Sequence, residues 1–239
     1  MRTNNGNRSY GFSDNRNYSN RGYNARDNFS EGGGELGVST YNAAIGGILA
    51  YGLLINVIMV TQFSQYFVNM NPIVLLILYF VLALVGIFIS RASDNPWISF
   101  LGYNMVVVPL GMVLSVCLNG VASDLIIHAL GITATVVVVM IILSVLMPRV
   151  FLSMGRILGI VLLIVIIAEV ACLIFRGTLP AFWDILVALL FSLYIGYDWA
   201  RAQEEYRSYD NAVDACVSLY LDIVNLFLRI LSISSRRDD

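Results

Sequence analysis

Seven mostly apolar stretches of about 20 residues follow one another in this chain, each long enough to cross a hydrocarbon core roughly 30 Å thick. They run over Tyr41–Thr61, Pro72–Ser90, Trp97–Leu118, Leu125–Met147, Ile157–Phe175, Leu179–Ala200 and Ala212–Leu231. A segment in hydrocarbon must satisfy its own backbone polar groups, so each run is expected to be a helix. The short connections between runs favour one compact bundle. The expected fold is therefore all-α: a polytopic membrane protein with a seven-helix transmembrane bundle over residues 40–239. Composition agrees. Of 239 residues 58% are hydrophobic and 13% charged, a balance that leaves too little polar surface for a soluble domain of this size. No internal repeat is visible.

Residues 1–39 are a different material, rich in Asn, Arg, Ser, Gly and Tyr and almost free of aliphatic side chains. Such a segment cannot bury enough apolar surface to offset its chain entropy, so a disordered N-terminal tail is expected. Its alternation of Arg, Tyr and Asn would suit weak RNA contact or self-association. A solvated tail is the plainer reading, and no nucleic-acid partner is expected. No cleavable signal peptide is visible ahead of the first run, which suits a bacterial plasma membrane; an endoplasmic reticulum membrane is the alternative. Cys117, Cys172 and Cys216 all lie in apolar segments and read as small buried hydrophobes. One histidine, His128, and scattered cysteines do not make a zinc site. His128 itself reads as a satisfied interface residue. No phosphate loop or dinucleotide fingerprint is present, so neither cofactor nor metal is expected.

Arginine placement sets the expected orientation. The tail carries Arg2, Arg8, Arg16, Arg21 and Arg26, and connections on the same side carry Arg91, Arg149, Arg156, Arg201 and Arg207. The opposite connections TQFSQYFVNMN and NGVASD carry none, and the last carries Arg176 alone. The positive-inside rule then places the N-terminus in the cytoplasm. The seventh run is ambiguous: a full span puts Arg236 and Arg237 outside, whereas a re-entrant hairpin keeps them inside. Its length favours a full span. Gly46, Gly47 and Gly52 in the first run allow close approach of a neighbour. Pro109, near Asn104 and Gly111, is expected to kink the third.

Two aspartates inside apolar runs carry the most functional information: Asp198 in FSLYIGYDWARAQ and Asp222 in VSLYLDIVNLFLRIL. An ionisable group within a span costs roughly 2.5 kcal/mol or more and usually faces a protein interior or a water path. On the seventh run Ser218, Asp222, Asn225 and Arg229 fall at i, i+4, i+7 and i+11, one face of a helix. A polar stripe on an otherwise apolar helix should point into the bundle, so a central C-terminal helix is expected. Asp184, Phe191, Tyr194, Asp198 and Arg201 share a face of the sixth run. Asp198 needs a cation or donors, and either Arg91 or Arg201 could serve. Spacing alone does not establish that Asp198 meets Asp222. Glu169 shares a face with Cys172 and Arg176; it could line a path or simply reach Arg176.

These two aspartate motifs resemble the closing signature of the Bax inhibitor-1 family, in which an LY…YD sixth helix is paired with an LYLDFINLF-like seventh. The resemblance extends to YNAAIGGILAYGLL in the first run and LGITATVVVV in the fourth, covering about the last 200 residues. It implies seven helices wrapped around the last one, and a pH-sensitive calcium leak. It also implies a hydrogen-bonded aspartate pair, here Asp198 and Asp222, as pH sensor, latched by an arginine, here Arg91 in IFISRASDNPW. Ser218, Asn225 and Glu169 would then be possible pore-lining residues, the lipid bilayer the environment, and calcium ions the cargo in transit. Some members carry a glutamate midway along the second helix; LYFVLALVG has none. Two other classes compete. A non-conducting regulator would bind a membrane protease or another integral partner. An intramembrane aspartyl protease would place its first aspartate in a Tyr-Asp pair, as Tyr197-Asp198 does, but needs Gly-x-Gly-Asp where this chain has LYLD.

Overall fold

The computed structural model describes residues 35–175 and 180–236. Met1–Gly34, the bulk of the expected tail, lies outside them, as do Arg176 and Arg237. Eight helices occupy the described residues: α1 (Val38–Gln62), α2 (Ser64–Val68), α3 (Pro72–Ala92), α4 (Pro96–Cys117), α5 (Ser123–Leu146), α6 (Pro148–Ile174), α7 (Ala181–Glu204) and α8 (Tyr209–Ser235). All but α2 are long and apolar enough to span a membrane. The five-residue α2 was not expected; it lies in the connection after the first span. Two helix starts follow directly from sequence. Asn71 and Asn95 accept hydrogen bonds from the backbone N–H of Ile73 and Trp97 at 2.9 and 3.0 Å, ahead of Pro72 and Pro96 at the first helical position. That pairing satisfies an orphan donor where proline lacks one.

Helix α8 is continuous over 27 residues, about 40 Å at 1.5 Å per residue, so it is not a hairpin and is long enough for a full span. It packs against α1, α3, α4, α5 and α7. Tyr220, Cys216, Leu219 and Leu226 are all but fully buried along it. Polar contacts tie it to α1. Asn56 Nδ2 donates to the Tyr220 hydroxyl at 2.5 Å, and Cys216 Sγ donates to the Ile45 carbonyl at 3.3 Å. Outward faces are apolar: Phe88, Trp97, Ile73 and Leu146 are largely exposed, a surface suited to lipid.

Glycines let the helices approach. A Cβ placed on Gly86 of α3 would stand 2.5 Å from the Gly102 carbonyl oxygen of α4, so these backbones touch. Between α6 and α7 the fit is ring into notch: Phe151 lies on Gly196, and Tyr197 lies over Gly155. Of the three glycines in the first span, only Gly52 is crowded, by the Tyr103 ring; Gly46 and Gly47 face open space. Pro109 sits inside α4, and the helix continues through it. His128, expected at an interface, is exposed on α5; with Asp124 it lines a groove between α5 and α8. Cys117 is exposed and Cys172 half-buried; only Cys216 is buried.

The first described residues are tied down. Leu36 N–H donates to the Arg207 carbonyl at 2.8 Å, and Arg207 pairs with Glu35 at 3.0 Å. Helix α1 starts at Val38, inside the stretch expected to be tail. The start of α1 and the start of α8 therefore lie at one end of the bundle, the near end.

Candidate functional site

One stripe of polar side chains runs the length of α8. Asp210, Asp214, Ser218, Asp222, Asn225, Arg229, Ser232 and Arg236 succeed one another at steps of three or four residues, which keeps them on one face. The stripe is longer at both ends than the four residues singled out by sequence. Its partners come from α3, α4, α6 and α7.

At mid-depth the carboxyl groups of Asp198 and Asp222 lie within hydrogen-bonding reach of each other. Asp222 is buried, and no donor reaches its Oδ2 among the described residues. Tyr194, one turn before Asp198, stands close to both carboxyls. Two carboxylates in such contact cannot comfortably both be ionised, so a proton between them is what the geometry accommodates. The pair meets although counting along α7 and α8 from their connecting loop sets the two aspartates at different depths.

Arg91 closes α3 near this pair, but its contact differs from the one expected. Its Nη2 donates to Ser218 Oγ at 3.4 Å, one turn from Asp222. No ion pair joins it to Asp198 among the described residues, although its charge is near enough to act on both Asp198 and Asp214. Arg201, the rival partner, pairs instead with Glu205 at 3.0 Å. Asn225 turns back on its own helix, its Nδ2 donating to the Leu221 carbonyl at 2.8 Å.

At the near end, Ser99 Oγ donates to Asp210 Oδ1 at 2.5 Å, and Ser90 Oγ donates to Asp214 Oδ1. These bonds join the α3–α4 turn to the start of α8. At the far end, Arg229 Nη1 meets Asp184 Oδ1 at 3.0 Å, and its Nη2 pairs with Glu169. Asp184 Oδ2 also accepts from Ser232 Oγ at 2.9 Å and pairs with Arg236 at 3.2 Å. Trp183 Nε1 donates to Glu169 at 3.3 Å. Glu169 thus reaches inward to α8. Sequence reasoning missed the Asp184 and Glu169 pairings. It also missed Asp210 and Asp214, which the same i, i+4 arithmetic would have added. No group of three or more His, Cys, Asp or Glu side chains among the described residues is placed to hold a metal ion.

Residues 37–239, which include every residue of this stripe, match the family model described as "Inhibitor of apoptosis-promoting Bax1". The chain belongs to the Bax inhibitor-1 family. An uncharacterized protein of Helicobacter pylori is 31% identical over 158 residues, 64% of this chain and 67% of that protein. An uncharacterized protein of Campylobacter jejuni is 38% identical over 85 residues, 35% of this chain and 36% of that protein. The Arabidopsis thaliana protein LIFEGUARD 4 is 52% identical over 48 residues, 20% of this chain and 19% of its own length. In this Bax inhibitor-1 member the two aspartate motifs that carry the sequence resemblance are the ones that meet between α7 and α8.

Proposed function

We propose that this protein is a pH-sensitive calcium leak, gated by protonation of the Asp198–Asp222 pair. The observation that carries the reading is the contact of two carboxyl groups from adjacent spans, one of them buried without a donor for Oδ2. In the closed form the pair holds one proton and one negative charge. Arg91, docked on Ser218 one turn away, supplies the nearby positive charge and fastens α3 to α8. A second proton removes the negative charge, and the exposed guanidinium loses the attraction that holds it beside the pair. Arg91 then leaves, α8 shifts, and water enters along the Ser218–Asp222–Asn225 face. The other charged or titratable groups near the pair are Tyr194, Tyr197 and Arg201 on α7 and Glu205 just after it; Asp214 on α8 faces Arg91. The arginine-rich connections favour a cytoplasmic N-terminus in a bacterial plasma membrane, so the near end faces the cytoplasm.

Purified protein in calcium-free liposomes, loaded with a calcium indicator and scanned between about pH 5 and 8, tests this directly. Influx that rises as pH falls is expected. A bilayer no leakier than protein-free vesicles at every pH would instead favour the regulator that binds an integral partner.

A further inference from the structure

We infer that Arg229 is a second, far-end gate on the same path, closed by its simultaneous hold on Glu169 and Asp184. This rests on the proposed leak along α8 and adds a barrier to it. Three observations carry it.

The first is position. Arg229 belongs to the stripe that holds Ser218, Asp222 and Asn225, seven residues beyond Asp222 or about 10 Å along the helix. A cation moving along that face toward the far end meets the guanidinium before it leaves the bundle. The second is connectivity. The two arms of the guanidinium bind different helices, Nη1 to Asp184 on α7 and Nη2 to Glu169 on α6. Arg229 therefore links α8 to α7, its packed neighbour, and to α6, which packs on α7, at one level. Lysine, a point charge without this fork, would not hold both in the same way. The third is burial and balance. Asp184 is 4% exposed, and its two oxygens take Arg229, Arg236 and Ser232. Two carboxylates face two guanidiniums, so the cluster is neutral and closed upon itself. Removing Arg229 would leave the buried Asp184 carboxylate with the more exposed Arg236 as its only cation among the described residues.

The Asp198–Asp222 pair is acid against acid, whereas the far cluster is acid against base. The path is thus shut by two different chemistries, and Asn225 lies between them. For the stripe to carry an ion through, Arg229 must release at least one of its carboxylates.

The test reads access to the space between the gates. In full-length protein with Cys117→Ala and Cys172→Ala, Asn225→Cys is introduced, and a charged, membrane-impermeant methanethiosulfonate is applied to nanodiscs open on both faces. Buried Cys216 is controlled for by the same protein without Asn225→Cys. At neutral pH slow labelling is expected with Arg229 present. Arg229→Ser, and the milder Glu169→Gln, are expected to speed labelling roughly tenfold or more, as a gate shifted toward its open state would. Labelling that is already fast with Arg229 intact, or equally slow in both single variants, would overturn the gate. Calcium flux measured on the same variants separates the two ideas. Faster labelling without any calcium flux keeps the gate and sinks the calcium leak.

Discussion

In the proposed leak Asp222 is the decisive residue, because it is buried, it lies within hydrogen-bonding reach of another carboxyl, and no donor reaches its Oδ2 among the described residues. An amide in its place is neutral at every pH and can donate to Asp198 without a shared proton. Asp222→Asn is therefore expected to flatten the pH dependence of flux while leaving the helices packed. In the same proposal Arg91 acts from one turn away, through Ser218. Arg91→Ala is expected to raise leak at neutral pH, and Asp198→Asn to weaken the same closed state. If flux and its pH profile are unchanged in both, the latch is wrong. The two aspartates were legible in sequence because ionisable groups are rare inside spans. Asp210 and Asp214 were passed over because charges at the edge of a span are ordinary. The reach of Glu169 to Arg229 was not legible. It joins residues 60 apart on different helices, while Arg176 offered a nearer partner in the chain.

Helix existence and length were set by apolar runs and by proline after asparagine, and these features could be read directly. Pairings between helices were not, since they depend on which glycine receives which ring. Only Gly52 of the first-span glycines proved to be a contact, and Gly155 and Gly196 carry the α6–α7 fit. The Phe151 ring occupies the space a side chain at Gly196 would need. Gly196→Leu is expected to cost about 1–3 kcal/mol by overpacking and to lower the thermal midpoint in detergent, read by loss of helical signal. Gly47→Leu, facing open space, is expected to leave that midpoint unchanged. Equal midpoints for the two variants would show that this notch does not hold α7.

For the whole molecule, the division of labour is between a polar N-terminal stretch and a bundle built around α8. Glu35 and Leu36 are bound to Arg207, so a stretch that can be removed without loss is expected to end before them. A chain beginning at Glu35 is expected to insert and conduct as the full chain does; failure to insert would make the first 34 residues part of the fold. The bundle, its seven spans and its central last helix were all legible, because bilayer thickness fixes span length and the polar stripe fixes which helix is enclosed. The measurement that tests the central claim most directly is calcium influx into liposomes across about pH 5 to 8, for the wild type and Asp222→Asn side by side. The expected result is influx that climbs as pH falls in the wild type and a level profile in Asp222→Asn. A level wild-type profile, or a variant as steep as the wild type, would contradict the aspartate pair as the sensor.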